Sequence, residues 1–354
     1  KSDVNPIKTV LSVETSCDDT SDAIVETGGN VICQVSANQD LAHAPFGGVV
    51  PEIASRNHSV ALLPLIQLAL EKAHLTLNDI HGLAVTNRPG LIGSLIVGIM
   101  TMKSIAQAHK IPLIGVNHLE GHLLAPFLKD KDYAPPDQFG YPYIALAVSG
   151  GHSSLYWVTG LGEYTVIGTT KDDAAGEAFD KFAKMIGLPY PGGVQVDRTS
   201  QGGDVKKFDF PRSLVLEDNL MFSFSGVKSS AHRLVSKMSP EEIEANRKDL
   251  CASFQEAIVD VLIKKTLSAA QRFHSYKIVI TGGVSANSRL REKAQAMAAK
   301  HNFQLVIPPL RYCTDNAAMI GYAGLLRLQR GETSTLAMGP SSQLLEDDLK
   351  FDLH

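Results

Sequence analysis

Two kinds of apolar pattern alternate along this chain: short unbroken runs, and longer stretches in which apolar residues recur every three to four positions. Residues 10–25 (VLSVETSCDDTSDAIV) place apolar runs on both sides of a polar turn, which predicts two strands joined by a tight loop. Residues 143–158 (YIALAVSGGHSSLYWV) repeat that layout, and the two segments are read as equivalent parts of two related lobes. Between them the spacing predicts helices over 58–73 and 94–109, strands at 83–86 and 113–116, and a further helix running to residue 128. Pro89, Gly90 and Gly93 mark the turn before the second of these helices. Beyond residue 143 the pattern predicts helices at 174–186 and 247–273, a strand at 277–281 and a helix at 288–301. A last helix, 316–330, is expected to pack back on the first lobe, and the acidic tail from Glu346 to be loose.

Strands alternating with helices argue an α/β protein with mixed sheets. The charged, proline-rich stretch 129–142 (KDKDYAPPDQFGYP) is the best linker. It divides a first lobe, 1–135 joined by 316–354, from a second, 136–315.

Composition narrows the class. The 354 residues are 44% hydrophobic and 20% charged, which suits a large buried core in about two domains. No apolar run reaches about 18 residues, so no membrane-spanning helix is expected. Residues 1–9 are polar and lack the apolar centre of a signal peptide. Cys17, Cys33, Cys251 and Cys313 are widely spaced with no CxxC pair, which indicates neither a zinc ribbon nor a disulfide framework and favours a reducing compartment. That compartment is expected to be the cytoplasm, or the mitochondrial matrix if a targeting segment precedes Lys1. The net charge of −4 argues against a general nucleic-acid binder. Residues 201–300, however, hold 16 Lys+Arg against 11 Asp+Glu. This is either a local surface for phosphates or the charged faces of solvated helices.

The sharpest chemical signal is Asn117-His118-Leu119-Glu120-Gly121-His122. On a helix, His118 and His122 share one face, a spacing that suits two imidazoles on one metal and is also met in ordinary helix histidines. A zinc-protease helix would carry its general-base Glu directly after the first His. Glu120 comes two residues after His118, about 200° round the helix, and points away. Asp315, at the expected start of the last helix, would complete a two-His, one-Asp set; Cys313 is a rival ligand. Two small-residue turns follow strands: Ser149-Gly150-Gly151-His152, and Gly282-Gly283 leading through Asn287 into a helix. Each allows a phosphate close to the backbone, and each also occurs as a plain connection. Glu177 and Asp180 share a helical face, with Asp180 placed for a ribose hydroxyl and Gly192-Gly193 and Asp197 expected in the loop that follows. In the first turn, Glu14, Asp18 and Asp19 could orient water or an amine, or simply form the turn.

Taken together, the runs ETSCDDT (14–20), FGGVVPEIASRNH (46–58), NHLEGHLLAPFL (117–128), AVSGGHSSL (147–155), DDAAGEAFDKFAKMIGLPYPGG (172–193), FSFSGVKSS (222–230), TGGVSANSRLR (281–291) and CTDNAAMIGYAG (313–324) resemble one family over nearly the whole chain. It is the tRNA threonylcarbamoyladenosine transferase family, once called O-sialoglycoprotein endopeptidase-like, and the wording is similar to its bacterial members. The resemblance implies the two-lobed actin/Hsp70/sugar-kinase superfold with duplicated mixed-sheet lobes. It implies one metal per chain, iron or zinc, on His118, His122 and Asp315. It implies that Ala147, Val148, Ser149, Gly150, Gly151, Asp180, Gly193, Asp197 and Asn287 hold the adenylate of the substrate. Where the family usually has Gly-Pro-Gly-Leu, this chain has Arg88-Pro89-Gly90-Leu91, which adds charge and bulk to a first-lobe turn.

The implied reaction uses threonylcarbamoyl-AMP, made by a separate synthase, with AMP in the second lobe and the carbamoyl group near the metal. The exocyclic amine of adenosine 37, in tRNAs that read codons beginning with A, attacks and AMP leaves. Asp18 is the candidate for taking the amine proton. The implied partners are tRNA, a paralogous inert subunit and a small ATPase. The alternatives are an ATP-dependent small-molecule kinase on the same superfold, which has no use for the histidine pair, and a non-catalytic scaffold paralogue. Contact with tRNA is expected through Lys206, Lys207, Arg212, Lys228 and Arg233.

Overall fold

The computed structural model describes residues 6–344 and 348–353. The tail expected to be loose from Glu346 is instead held over 348–353, where Asp348 pairs with Arg88 and Lys350–Phe351 join a sheet; Glu346 itself lies outside the described residues. The chain folds as two compact units, residues 1–137 with 311–348, and residues 138–310 with 349–354. The first boundary falls two residues beyond the expected one. The return to the first unit comes at Arg311, not at 316, so Asp315 belongs to the first unit. The reason is local: Arg311 and the Tyr312 hydroxyl both bond the Asp130 carboxylate, at 2.8 and 2.5 Å, before the last helix begins.

In the first unit, β1 (Thr9–Glu14), β2 (Thr20–Glu26) and β3 (Asn30–Ala37) form an antiparallel meander, and β4 (Gly82–Arg88) and β5 (Leu113–Asn117) extend it in parallel, in the order β3-β2-β1-β4-β5. The short helix α1 (Asp40–His43) leads to α2 (Pro51–Ala73), which packs beside α3 (Ile92–His109); α4 (His118–Leu124) follows β5 directly.

In the second unit, β6 (Tyr143–Val148), β7 (Ser153–Gly160) and β8 (Glu163–Thr169) repeat the meander. Four helices follow: α5 (Ala175–Met185), α6 (Gly192–Ser200), α7 (Ser225–Val235) and the 33-residue α8 (Pro240–Arg272). Then come β9 (Lys277–Thr281), α9 (Ser288–His301) and β10 (Gln304–Val306). The short α10 (Leu310–Cys313) and α11 (Ala317–Gln329) return to the first unit, and β11 (Lys350–Phe351) ends the chain as a further strand of the second sheet. Its order, β10-β9-β6-β7-β8-β11, contains β8-β7-β6-β9-β10, the first sheet's order with the same parallel and antiparallel pairings. This shared topology is what the two similar apolar–polar–apolar segments encode.

Burial explains the apolar runs. Every residue of β1, β6 and β9 is buried, as befits the central strands of covered sheets. In the first unit α2 and α3 pack on one side while α11 lies across β1, β2 and β4. In the second, Phe182 of α5 stacks on Phe254 of α8 at 4.0 Å between ring centroids, and Phe210 meets Phe254 edge-on.

Residues 192–200, expected as loop, are helical. Gly192 permits this, because a Cβ there would lie 2.8 Å from the Cβ of Ala183. The missing side chain lets α6 pack tightly on α5, and Val196 seals the contact, fully buried.

Candidate metal centre and nucleotide cavity

β5 runs straight into α4, whose first turn is capped by the Asn117 side chain accepting the Leu119 N–H at 2.9 Å. This sets His118 and His122 one helical turn apart, both buried. Asp315 precedes α11, whose own cap is the Asn316 side chain accepting Met319 N–H at 2.9 Å. The three side chains converge. His118 Nε2 lies 3.1 Å from His122 Nε2 and 3.1 Å from Asp315 Oδ1, and His122 Nε2 is 3.3 Å from the same oxygen. Donors around one metal at bond lengths of about 2.1 Å stand about 3.0–3.4 Å apart, so this donor set fits a divalent ion. Two histidines and one carboxylate suit zinc or ferrous iron and leave positions open for other ligands. Cys313 is fully buried and is not a member of the His118–His122–Asp315 group.

Behind His118 stands Glu14, with Oε2 3.0 Å from Nδ1. The other ring nitrogen, Nε2, therefore faces the ligand position, the carboxylate–histidine arrangement that orients a metal-binding imidazole. Glu14 is itself fixed: it accepts the Ser16 N–H at 2.6 Å and the Thr86 hydroxyl at 2.5 Å. Glu14 ends a fully buried strand, and its carboxylate bonds His118, a member of the candidate ligand group. Burial opposes the charge on His118, but Asp315 and Glu14 outweigh it and raise its pKa well above the ordinary histidine value. Burial lowers the pKa of His122. Burial also works against ionised Asp315, yet His118 holds its pKa well below the usual carboxylate range. With its pKa raised, His118 holds its charge to higher pH than an ordinary histidine, and a cation would compete with that proton.

Glu120 turns away, as the helical geometry requires. It is buried against Arg327, with oxygens 2.5 and 2.6 Å from the guanidinium nitrogens. Asp18 and Asp19 lie in the turn between β1 and β2. Burial, then the charges of Asp18 and Asp315, push Asp19 up to about 8, so this acid turn lies within electrostatic reach of the ligand group.

In the second unit, a cavity of about 350 Å³ is lined by Gly150, Gly176, Phe179, Asp180, Gly193, Val194, Asp197, Arg198, Val284, Asn287 and Leu310 among others. Its volume falls in the range of small-ligand sites. Gly150, Gly151 and Gly283 each face open space where a Cβ would stand. Gly282 adopts φ +92°, where a Cβ would meet the Val148 carbonyl oxygen at 2.2 Å, so this turn requires glycine. Ala147 and Val148 are buried strand residues that carry the turn without lining the cavity. Ser149 shapes the turn by accepting the His152 N–H on its hydroxyl at 3.1 Å.

Asp180 accepts the Gly193 N–H at 3.2 Å. Asp197 borders the cavity, but its oxygens hold the start of α9 through the Ser288 N–H and hydroxyl, at 2.9 and 2.6 Å. Asn287 likewise caps α9 through Leu290 N–H at 2.9 Å and donates to buried Gln255 at 2.7 Å. Both residues therefore build the rim of the cavity. Phe179, Val194, Val284 and Leu310, its apolar walls, carry no signal in the sequence, because an apolar residue facing a cavity looks like one facing a core.

Of the basic residues expected to meet tRNA, Lys207 pairs with Asp249 at 3.1 Å, Arg212 with Asp260 at 2.8 Å, and Lys228 with Asp173. Lys206 and Arg233 make no ion pair among the described residues. Arg88 forms a two-pronged pair with Asp348, Nε lying 2.6 Å from Oδ2, which accommodates its charge within the first unit.

Comparison with known proteins agrees with this architecture. A family model described as "TsaD: tRNA N6-adenosine threonylcarbamoyltransferase" matches residues 30–322. A protein of that name from Bdellovibrio bacteriovorus is 61% identical over 344 residues, covering 97% of this chain and 100% of its own. One from Sorangium cellulosum is 48% identical over 341 residues, covering 94% and 96%. Among solved structures, HypF from T. kodakarensis aligns with TM-score 0.59 at 12% identity over 92% of this chain and 49% of its own. Component A of the Acidaminococcus fermentans (R)-2-hydroxyglutaryl-CoA dehydratase aligns with TM-score 0.54 at 13% identity over 90% and 98%. The structural likenesses support the fold alone.

Proposed function

The chain belongs to the tRNA N6-adenosine threonylcarbamoyltransferase family, and from that premise we propose how its residues carry the reaction. It is a transferase that places a threonylcarbamoyl group on the exocyclic amine of an adenosine in tRNA. The donor in this reading is threonylcarbamoyl-AMP, and the acceptor is adenosine 37, next to the anticodon. The adenylate occupies the cavity of the second unit, with phosphate against the open backbone of Gly150 and Gly151 and ribose at Asp180. In the first unit, His118, His122 and Asp315 hold one divalent metal, zinc or iron, which when bound supplies a Lewis acid for a carbonyl oxygen. Glu14 keeps His118 in the tautomer and orientation that ligation needs. The adenosine amine forms the new C–N bond, the bond from the carbamoyl carbon to the phosphate oxygen breaks, and AMP leaves. Asp18 takes the proton that the amine loses.

A loop adenine is splayed from its stack at modest cost. The chain is acidic overall, so a paralogous inert subunit and a small ATPase complete the surface for tRNA, and a separate synthase supplies the donor. The cytoplasm is the compartment this reading assigns. No helix among the described residues is long and apolar enough to cross a membrane.

The observation that carries the reading is the convergence of His118, His122 and Asp315 with Glu14 behind. A small-molecule kinase leaves that group without a task. The test is incubation of the chain, with its partner subunits, with threonylcarbamoyl-AMP and unmodified tRNA, followed by nucleoside analysis. Threonylcarbamoyladenosine formed by the parent and lost in His118→Ala is the expected result; modification that survives the substitution overturns it.

A further inference from the structure

The run FGGVVPEIASRNH ends on His58, in α2, to which the reaction above gives no role. His58 is fully buried. Its Nδ1 lies 2.7 Å from the Thr20 hydroxyl and its Nε2 lies 2.7 Å from the Cys17 carbonyl oxygen. A carbonyl oxygen only accepts, so Nε2 carries hydrogen and donates. Burial disfavours the charged ring and lowers its pKa, which leaves Nδ1 to accept from Thr20. One imidazole thus bonds both ends of the four-residue segment Cys17–Thr20, and the two residues enclosed are Asp18 and Asp19.

The same turn is fastened on its other flank. Leu91 N–H donates to the Ser16 carbonyl at 2.9 Å, and Gly90 approaches so closely that a Cβ would lie 2.7 Å from that oxygen. The Ser16 hydroxyl lies 3.3 Å from His118 Nδ1. The acids are therefore strung between a post that touches a metal ligand and a post held by His58. Helix α2 contributes no metal ligand, so His58 is the group through which it fixes the acid turn.

We propose that His58 is a positioning residue for the transfer reaction, holding the Asp18–Asp19 turn in register with the His118–His122–Asp315 group. The inference rests on the reading that this turn serves proton removal from the amine. Near-attack geometry is steep: a displacement of about 1 Å costs about 10²-fold in rate. His58→Phe keeps the ring and removes both bonds. His58→Gln restores one donor and one acceptor at similar reach.

The experiment uses the chain with its partner subunits. It measures kcat, KM for tRNA, metal content and hydrogen exchange of the 17–20 amides for His58→Phe, His58→Gln, Thr20→Val, the His58→Phe/Thr20→Val double variant and Asp18→Asn. His58→Phe is expected to lower kcat by about 10²-fold, with KM and metal content within twofold of the parent and faster exchange at 17–20. His58→Gln should recover at least about tenfold of that loss, and Thr20→Val should add nothing in the Phe background. Parental kcat in His58→Phe with an inactive Asp18→Asn overturns the positioning role alone. Parental kcat in Asp18→Asn overturns the reading of the acid turn. Joint loss of metal and tRNA affinity in both His58 variants would make His58 a general support of the fold and overturn the proposal.

Discussion

Asp22 is a carboxyl group in the wrong solvent. It lies in β2, fully buried, opposite Val13 of β1 and Val35 of β3, and neither oxygen has a hydrogen-bond partner among the described residues. Burial alone raises its pKa well above the ordinary value of 3.8. The folded state therefore keeps the proton at pH values where the unfolded chain has released it. Above pH 3.8 the unfolded state binds fewer protons, so stability falls as pH rises, until the folded carboxyl itself ionises. The slope across that window is about 1.4 kcal/mol per pH unit.

Replacing Asp22 with Val removes two unsatisfied oxygens, worth about 1–3 kcal/mol near pH 4, and continues the valine row across three strands. The advantage over the parent should then grow by about 1.4 kcal/mol per pH unit. For a unit of this size each kcal/mol raises Tm by about 2–4 °C. Asp22→Asn separates the two effects: it removes the titration and leaves the polar atoms unpaired. The assay is chemical denaturation of all three proteins at pH 5, 6 and 7. An advantage of the Val variant that does not change with pH, or a variant less stable than the parent, refutes the neutral, unpartnered carboxyl.

Calorimetry of zinc binding to the metal-free protein, in buffers of different ionisation enthalpy, should detect proton release on binding, because the pKa of His118 is raised. Affinity should fall about tenfold per pH unit below the metal-free pKa of His118, and Glu14→Gln should weaken it by about 10- to 100-fold. A Cβ at Gly150 would meet no neighbour within 4 Å, so Gly150→Val should melt close to the parent while losing AMP binding by calorimetry; parental affinity would move the phosphate elsewhere. Neutralising Lys206 and Arg233 should flatten the salt dependence of tRNA binding, the log–log slope falling by about one for each phosphate left without its cation. Neutralising Lys207 and Arg212, already paired within the chain, should change it little.

Most of what the sequence makes legible is periodic or sharply spaced. Fully buried strands such as β1 and β6 are largely apolar runs, and the helical spacing sets His118 and His122 on one face and Glu120 on another without any structure. β3 escaped because it is an edge strand, only partly covered, whose apolar residues do not alternate strictly. α6 escaped because two glycines at its start read as a break, while the first of them, Gly192, serves close contact with α5. The bonds that Glu14 and His58 make escaped for a different reason. They reach residues 104 and 38–41 positions away, which no local pattern encodes. Asp197 and Asn287 carry the polar signature of ligand-facing residues, but at the rim of a cavity such residues serve the helix cap first.

The last strand bears on how the protein is handled. Lys350 and Phe351 pair in parallel with Thr165 and Val166, and Asp352 N–H reaches the Val166 carbonyl at 2.8 Å. The opposite border of that sheet is a strand of only three residues. Both borders are therefore too short to template another chain, whereas β8, seven residues long, would present a fresh row of donors and acceptors if its cover were peeled away. Proteolytic trimming before Leu349, or a bulky fusion that pulls on this end, should turn a well-behaved preparation into one that self-associates through β8. An affinity handle belongs at the other terminus.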